Sequence, residues 1–395
     1  MTSTETTPAA PTPVVDPPID GTCDARFAGL RDEFARRLAN GDELGASLAV
    51  FVGDEPVVDL WGGWADPART RPWNSDTLTN VWSISKTVTA LAALLLVERG
   101  QLDPEASVAT YWPEFAAAGK AGVLVKHVLM HTSGVSGWAQ PITGDDILDV
   151  DAAAARLAAQ PAWWPAGAAS GYHLLDYGHL VGELVRRVDG RSLGAFVREE
   201  LAEPLGADFW LGLPESEDRR VSDVVPPPPS QLDLGALPPD SPAFRTFTGP
   251  VLGAEVTWTR AWRAAGVGGA GGQGNARSVA RLNSVLATGG QVDGMRLLSP
   301  ATVERVFAEH TDGIDLVLGL PLRFALGWAV SNPASTPWIP EGRVAFWGGW
   351  GGSIVIADVD RGVTFAYVMN RMSPGIIGSE RSDAYTRAVY AALDA

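Results

Sequence analysis

The sequence predicts an α/β (α+β) protein in which both ends of the chain build one antiparallel sheet with helical covers, while the middle forms a helical insertion. Three observations predict this. A helix-like period followed by a hairpin pattern lies near the start, and three strand patterns followed by a helix pattern lie near the end. Helical patches separated by long loops fill the region between. At 395 residues, the chain is long enough for one large domain or for two to three ordinary ones.

The N-terminal elements begin at residue 23. Apolar side chains at helical spacing predict a first helix over residues 23–39. Two β-like runs, 46–52 and 56–62, are joined by Gly53-Asp54-Glu55 and predict a hairpin. The apolar segment 84–99, closed by Gly100, predicts the strongest helix of the chain.

The remaining elements lie in the middle and at the end of the chain. Two helices are predicted around 181–188 and 193–201, and the proline-rich stretch after Val225 excludes regular structure. Three strands are predicted over 344–347, 353–358 and 363–369, followed by a helix over 383–393. The predicted units are a disordered tail over 1–22, an α/β domain from 23–100 and 263–395, and an inserted helical domain over 101–262.

Charge and hydropathy exclude several classes of partner. The chain has 46 Asp and Glu against 30 Lys and Arg, a net charge of −16, whereas nucleic acids and anionic membranes bind basic patches. The longest apolar stretch, residues 90–97, is far shorter than the about 20 residues of a membrane span. The start of the sequence lacks the basic and apolar regions of a secretion signal. We therefore expect a cytoplasmic protein with a small-molecule partner; the oligomeric state is left open.

Metal and cofactor binding are not indicated. The single cysteine, Cys23, closes no disulfide within the chain and builds no Cys-rich metal site. His127 and His131 are four residues apart but lack the accompanying glutamate of an H-E-x-x-H zinc motif. We expect neither a metal nor a cofactor.

A Ser-x-x-Lys motif, Ser83 to Lys86, opens the strongest helix. Residues three apart share a helical face, so the Lys86 amine can reach the Ser83 hydroxyl, and the helix start supplies free N–H groups where an oxyanion would form. The pKa of a free lysine is about 10.4, and apolar surroundings such as Trp82 must lower it by roughly 3 before Lys86 acts as a base. The alternative is a helix-capping serine beside a surface lysine. Only three of the 30 cationic residues are lysines, which favours the chemical interpretation.

A second serine motif competes for the nucleophile. Residues 190–194 read Gly-Arg-Ser-Leu-Gly, the pattern of a nucleophile elbow, which requires a strand before it and a helix after it. Here a helical pattern precedes Gly190, so Gly190 is predicted to end one helix and Ser192 to cap the next. We expect Ser192 to have no catalytic role.

Five segments together resemble the serine β-lactamase and penicillin-binding superfamily, and within it the family VIII carboxylesterases. The resemblance spans nearly the whole chain after residue 25. Its motifs are Val81-Trp82-Ser83-Ile84-Ser85-Lys86-Thr87, His131-Thr132-Ser133-Gly134, Gly171-Tyr172-His173, Glu203-Pro204-Leu205-Gly206 and Phe346-Trp347-Gly348-Gly349-Trp350-Gly351-Gly352-Ser353. The fold that it implies is similar to class C β-lactamases, with a central antiparallel sheet, terminal helices and an inserted helical domain.

The resemblance also implies site residues. Tyr172 matches the family's catalytic tyrosine, although Leu174 stands where the family's Tyr-x-Asn pattern has Asn. Trp347-Gly348-Gly349 stands in place of the Lys-Thr-Gly of β-lactamases. By analogy, the backbone N–H groups of Ser83 and Trp350 form the oxyanion hole. The expected substrate-binding residues are Trp82, Trp347, Gly348, Gly349 and Trp350.

The predicted function is hydrolysis of short- or medium-chain carboxylic esters through a Ser83 acyl-enzyme, with Lys86 and Tyr172 moving the proton. One alternative is a β-lactamase, D-amino-acid peptidase or amidase acting at the same site. The absence of Lys-Thr-Gly, and of Asn at Leu174, disfavours a β-lactamase. Another alternative is a non-catalytic, penicillin-binding-like sensor module, which we expect to have lost one of the three catalytic side chains.

Overall fold

The computed structural model describes residues 18–229 and 233–395. The strands are β1 (Ile19–Cys23), β2 (Gly45–Val52), β3 (Glu55–Gly63), β4 (Thr79–Asn80), β5 (Phe209–Trp210), β6 (Gln273–Gly274), β7 (Gln291–Val292), β8 (Met295–Arg296), β9 (Arg323–Phe324), β10 (Ala329–Val330), β11 (Val344–Gly348), β12 (Ile354–Asp358) and β13 (Val363–Met369). The helices are α1 (Ala28–Asn40), α2 (Ser85–Glu98), α3 (Val108–Tyr111), α4 (Val125–Leu129), α5 (Val150–Ala159), α6 (Tyr177–Asp189), α7 (Leu193–Val197), α8 (Pro242–Thr248), α9 (Arg260–Ala265), α10 (Ala276–Ala287), α11 (Pro300–Ala308) and α12 (Glu380–Asp394).

Eight strands form one antiparallel sheet in the order β1-β3-β2-β13-β12-β11-β10-β9. The predicted hairpin is β2–β3, and the three predicted C-terminal strands are β11, β12 and β13. Strand β13 pairs with β2 along its whole length, which joins the two ends of the chain in one sheet. All of β13, and all of β2 except Val52, is buried because both strands have neighbours on each side and helices on each face. The predicted α/β architecture is confirmed.

Helices cover both faces of this sheet. Tyr367 of β13 packs against Tyr385 of α12, with ring centroids 4.9 Å apart, and α12 packs beside α1. Leu48 is the cross-strand partner of Tyr367, so Ser47 points to the opposite face. There the Ser47 hydroxyl accepts a hydrogen bond from the first N–H of α10, that of Ala276. The two terminal helices therefore supply one cover, as predicted, and α10 supplies the other.

Helix α2 lies at the centre of the molecule. It is buried from Ser85 to Val97 and packs against α6, α7, α10 and α11. A helix that is enclosed on all sides needs apolar residues on all sides, which explains why this segment lacks a polar face. A single turn of 3-10 helix, Trp82–Ile84, precedes it. None of the helices in the described ranges is long and apolar enough to cross a membrane.

The start of the sheet corrects one sequence-based prediction. The predicted disordered tail extends to residue 22, but Ile19–Cys23 forms β1 and pairs antiparallel with β3. The unpaired edge of β3 offers free N–H and C=O groups, and pairing with them outweighs the disorder that the local composition favours. Residues 1–17 of the predicted tail lie outside the described residues. The division between an α/β domain and a helical domain over 101–262 remains a prediction, because one continuous apolar core includes residues of both.

A buried ion pair fastens α12 to the sheet. The Arg381 guanidinium donates to Glu43 Oε2 over 2.6 Å, and the two side chains are 6% and 0% exposed. The Tyr367 and Tyr385 hydroxyls donate to Glu43 Oε1 over 2.6 and 3.1 Å. Arg381 also donates to the Arg371 carbonyl. The cluster thus ties α12 to β13 and to the segment that leads into β2.

We expect Arg381→Met to lower the free energy of unfolding by about 3–5 kcal/mol, since it leaves the Glu43 carboxylate buried without its cation. Urea unfolding measures the change. The matched control on the same helix is Arg387→Met, which removes an exposed pair with Asp383 and should cost at most about 1 kcal/mol. Equal losses in the two variants would contradict the assigned role of the cluster.

Candidate active site

Ser83 lies in a sharp turn between a short strand and the central helix. Strand β4 pairs with β6, and the buried Asn80 side chain donates to the Ala270 carbonyl and accepts from Trp262 and Gln273. Trp82, two residues after Asn80, has a φ of 51°, in the left-handed region that non-glycine residues rarely adopt. This turn directs the chain into the 3-10 helix and places Ser83, which is 5% exposed, beside the first turn of α2.

The Lys86 amine is enclosed by three oxygen atoms. Its Nζ lies 3.1 Å from Ser83 Oγ, 2.8 Å from the Leu174 carbonyl and 2.7 Å from the Gly269 carbonyl. The side chain is 2% exposed. Burial lowers the pKa of this amine from its ordinary value to about 7, while the Asp176 charge acts in the opposite direction. The neutral form of Lys86 is therefore accessible at neutral pH.

These contacts fit the neutral amine as a base. A neutral amine has two N–H groups and one lone pair. The two carbonyls can only accept, so they take both N–H groups, and the lone pair is left for Ser83 Oγ. After a proton is gained, the ammonium has three donors for the same three oxygens. The arrangement thus suits Lys86 both before and after it takes a proton from Ser83.

Tyr172 lies beside both groups and is fully buried. Its hydroxyl accepts a hydrogen bond from the Trp347 indole N–H over 2.9 Å, and the Lys86 Nζ is 4.8 Å from its ring centroid. Burial raises the pKa of the Tyr172 phenol above its ordinary value, although hydrogen bonds with Ser83 and Trp347 lower it in part. The phenol is therefore protonated at neutral pH and can act as a proton donor.

Hydrogen bonds with buried polar groups fix the backbone at Tyr172 and the side chain of the next residue, His173. The Tyr172 N–H donates to Asp315 Oδ1 over 3.1 Å. His173 Nδ1 lies 2.9 Å from the Gly171 carbonyl, which can only accept, so Nδ1 carries the proton and Nε2 accepts from the Ser133 hydroxyl at 2.6 Å. Burial lowers the pKa of His173 to about 3, so this histidine is neutral.

The strand end after β11 closes the site. An added Cβ at Gly349 would lie 2.5 Å from the Val81 carbonyl, so only glycine allows this segment to approach the turn that holds Ser83. The half-buried Trp350 ring meets the Trp82 ring edge-on, with centroids 5.0 Å apart. The backbone N–H of Trp350 has no acceptor within the described part of the chain. Trp350 directly follows Gly349, so this N–H lies in the segment that contacts the turn before Ser83.

The structure brings together seven of the eight residues that the sequence analysis assigned to the site: Ser83, Lys86, Tyr172, Trp82, Trp347, Gly349 and Trp350. The eighth, Gly348, ends β11, and an added Cβ there would meet Gly378 and Ser353 instead. Trp347 differs from expectation in its contacts, because its ring is 3% exposed and its N–H is used by Tyr172. Its part in substrate binding stays a prediction. Ser192 caps α7 and accepts from the Ala195 N–H, while Gly190 ends α6 with a φ of 95°, so the predicted local structure of the second serine motif is confirmed.

Three contributors were missed by sequence reasoning: the Leu174 and Gly269 carbonyls, and Asp315. A backbone acceptor has no side-chain signature, so its role depends on packing. One signal was available, the glycine-rich run over 266–274. An added Cβ at Gly269 would lie 2.5 Å from the Leu175 carbonyl, which explains why the two segments that hold Lys86 meet at glycine.

Comparisons with known proteins show what the whole chain is similar to. The beta-lactamase family model matches residues 30–390. The esterase/beta-lactamase LipL of Mycobacterium tuberculosis is 35% identical over 376 residues, which cover 92% of this chain and 85% of that protein. Among solved structures, a family VIII carboxylesterase has a TM-score of 0.88 and 38% identity, covering 95% of this chain and 100% of that one. A penicillin-binding protein homologue from Caulobacter crescentus has the same TM-score and coverage, with 41% identity.

We expect a fluorophosphonate to form its adduct at Ser83 and none at Ser192, because of these two serines only Ser83 contacts a basic side chain, whereas the Ser192 hydroxyl caps a helix. The labelling rate should rise with pH through about 7, as the Lys86 amine loses its proton. Mass spectrometry of the digested adduct locates the serine, and Ser192→Ala is the control that should label normally. An adduct on Ser192, or a labelling rate that is constant from pH 5 to 9, would contradict this assignment.

Proposed function

Since this chain belongs to the beta-lactamase family, we propose that it hydrolyses carboxylic esters through a covalent acyl-enzyme on Ser83. The observation that carries the proposal is the contact between a buried Lys86 amine and the Ser83 hydroxyl, with a protonated Tyr172 beside both. Relatives whose names include esterase and carboxylesterase support the same class of reaction.

Acylation uses the three side chains in turn. Ser83 Oγ attacks the ester carbonyl carbon while its proton passes to the neutral Lys86 amine, and the carbonyl oxygen takes the electron pair. The N–H groups of Ser83 and Trp350 stabilise that oxyanion. When the C–O bond breaks, the Tyr172 hydroxyl gives its proton to the leaving alkoxide, and the proton held by Lys86 then restores Tyr172. The alcohol leaves and the acyl group remains on Ser83.

Deacylation follows the same path with water as the nucleophile. Water attacks the acyl carbon and gives its proton to the Lys86–Tyr172 pair. The bond to Ser83 Oγ then breaks, and Ser83 regains a proton from that pair. The acid product leaves, and each side chain returns to its starting protonation state.

The surroundings of the site favour an uncharged substrate. Within the described residues, Lys86 is the cation at the site, and its donors are already used by two carbonyls and Ser83. Tryptophan rings and glycines line the strand side, with Trp350 half-exposed. A substrate carboxylate buried here would lack a partner, whereas an apolar acyl chain gains from burial at about 25 cal/mol per Å². We therefore propose short- or medium-chain esters as the substrate class.

A β-lactamase or a peptidase acting at the same site is the second candidate. It is favoured by the similarity to a penicillin-binding protein homologue and by the word beta-lactamase in the name of LipL. Trp347-Gly348-Gly349 and Leu174 disfavour it, because neither supplies a cation or a polar side chain for the substrate carboxylate and amide.

We expect Lys86→Arg to lower kcat for p-nitrophenyl butyrate by about 100-fold or more. Arginine keeps the positive charge but cannot become neutral, so it cannot take the Ser83 proton. Steady-state kinetics measure the loss, and circular dichroism checks the fold. Lys126→Arg is the matched control, since Lys126 forms ion pairs with Glu105 and Glu309, and arginine keeps the charge that these pairs need. An active Lys86→Arg enzyme would leave Tyr172 as the base.

We expect kcat/KM for p-nitrophenyl butyrate to exceed that for nitrocefin by about 100-fold or more. An unpaired buried carboxylate costs a few kcal/mol, and each 1.4 kcal/mol is a factor of ten. Both substrates are measured in one buffer, and Ser83→Ala should abolish both activities. Comparable values for the two substrates in the unmodified protein would favour the second candidate instead.

A further inference from the structure

Tyr172 lies in a segment without helix or strand, so its backbone is fixed by individual hydrogen bonds. On either side of it, the N–H groups of Gly171 and His173 donate to the carbonyl and the Nδ1 of His131, over 2.9 and 3.1 Å. The N–H of Tyr172 itself donates to Asp315 Oδ1 over 3.1 Å. Asp315 is thus the side chain that holds the backbone of Tyr172 directly.

Asp315 belongs to an antiparallel loop over residues 311–324. The two arms of this loop are joined by backbone hydrogen bonds from Thr311 to Phe324, from Leu322 to Gly313 and from Asp315 to Leu320. Asp315 Oδ1 also accepts from the N–H groups of Val317 and Leu318, over 3.0 and 2.8 Å. One buried oxygen therefore fixes the tip of the loop and joins it to Tyr172.

The same loop contacts the phenol ring. The Phe324 and Tyr172 rings are stacked, with centroids 6.0 Å apart and planes 8° apart. Phe324 also packs against Trp347, whose indole N–H donates to the Tyr172 hydroxyl. The 311–324 loop thus contacts Tyr172 at its backbone and at its ring, and both contacts hold the phenol beside Lys86.

The contact with Tyr172 does not depend on the charge of Asp315. Burial raises the pKa of the Asp315 carboxyl above its ordinary value, although its hydrogen bonds with backbone N–H groups act in the opposite direction. A carboxyl oxygen accepts hydrogen bonds in the ionised and in the protonated form. The site therefore needs an acceptor atom from this residue, and an amide of the same shape can supply one.

We propose that Asp315 is a positioning residue for Tyr172, and that it holds the phenol where it can protonate the leaving alkoxide of an alkyl ester. In that step the C–O bond to the leaving group and the Tyr172 O–H bond break, and the alkoxide oxygen gains the proton. The proton held by Lys86 then restores Tyr172, while Asp315 touches none of the reacting atoms. This inference rests on the proposed function of Tyr172 as the proton donor.

Two esters of the same acid test this role. Ethyl butyrate releases an alkoxide that must be protonated, whereas p-nitrophenyl butyrate releases a phenolate that is stable as an anion. In Asp315→Ala, kcat/KM for ethyl butyrate should fall about 10-fold or more beyond any fall for p-nitrophenyl butyrate, because a misplaced phenol transfers its proton poorly. Tyr172→Phe should show the same uneven loss. Asp315→Asn keeps an oxygen acceptor and should retain both activities.

Asp66→Ala is the matched control. Asp66 is also a buried carboxyl group in a loop, and its Oδ1 accepts from the N–H groups of Thr70 and Arg71 over 2.8 and 3.1 Å. Its loss should lower the free energy of unfolding but leave the ratio of the two kcat/KM values unchanged. The same unchanged ratio in Asp315→Ala would overturn the proposal, because it would assign Asp315 a general structural role. An Asp315→Asn variant as impaired as Asp315→Ala would also overturn it.

A measurement without substrate separates this inference from the proposed function. Labelling the tyrosine Cζ with ¹³C gives signals from only six side chains, and loss of one signal in Tyr172→Phe assigns Tyr172. In Asp315→Ala this signal should shift, whereas the signal of Tyr390, whose hydroxyl donates to Asp358, should not. An unmodified protein that turned over neither ester would contradict the proposed function, whereas an unshifted Tyr172 signal would by itself overturn the positioning role.

Asp315→Ser is measured beside Asp315→Ala, so that the result does not depend on one variant. The serine hydroxyl is too short to reach all three N–H groups, so the same uneven loss is expected. Circular dichroism checks the fold of each variant. Failure of both to fold would assign Asp315 to the stability of the chain and overturn the proposal.

Discussion

The enclosure of one amine by two backbone carbonyls is the constraint on which the rest of the site depends. Lys86 lies in the first turn of a helix that is surrounded by other helices, so its Nζ is far from water. The Leu174 and Gly269 carbonyls take its two N–H groups and fix the direction of its lone pair. If either carbonyl moved, Lys86 would lose its orientation toward Ser83, and it would also gain access to solvent that restores an ordinary pKa.

The architecture brings those carbonyls from two segments that are distant in sequence. One precedes α6 and the other precedes β6, and the two are in contact because glycines at Gly178, Gly268 and Gly269 let the backbones approach. The same principle operates at the strand side, where Gly349 touches the turn before Ser83. Close backbone packing through glycine is thus the means by which this fold aims backbone groups at the site.

The sequence predicted the side chains of the site better than their surroundings. Ser83 and Lys86 were predictable because their spacing is local and a helix fixes it. Trp350 and Tyr172 were reached only through a resemblance, since nothing local links them to Ser83. The carbonyl acceptors and Asp315 were missed, because long-range packing alone decides which backbone group meets which side chain. The strand Ile19–Cys23 was missed for a similar reason: its partner is a free edge some distance along the chain.

The left-handed turn at Trp82 has a consequence for how the site is prepared. Glycine would relax that backbone, but it would remove the ring that packs between Trp262 and Trp350. Packing of the Trp82 ring therefore stabilises a left-handed backbone conformation that is unfavourable for a non-glycine residue. The free-energy cost of this backbone conformation is part of the free energy of folding. Each catalytic cycle therefore begins with the Ser83 hydroxyl already in position.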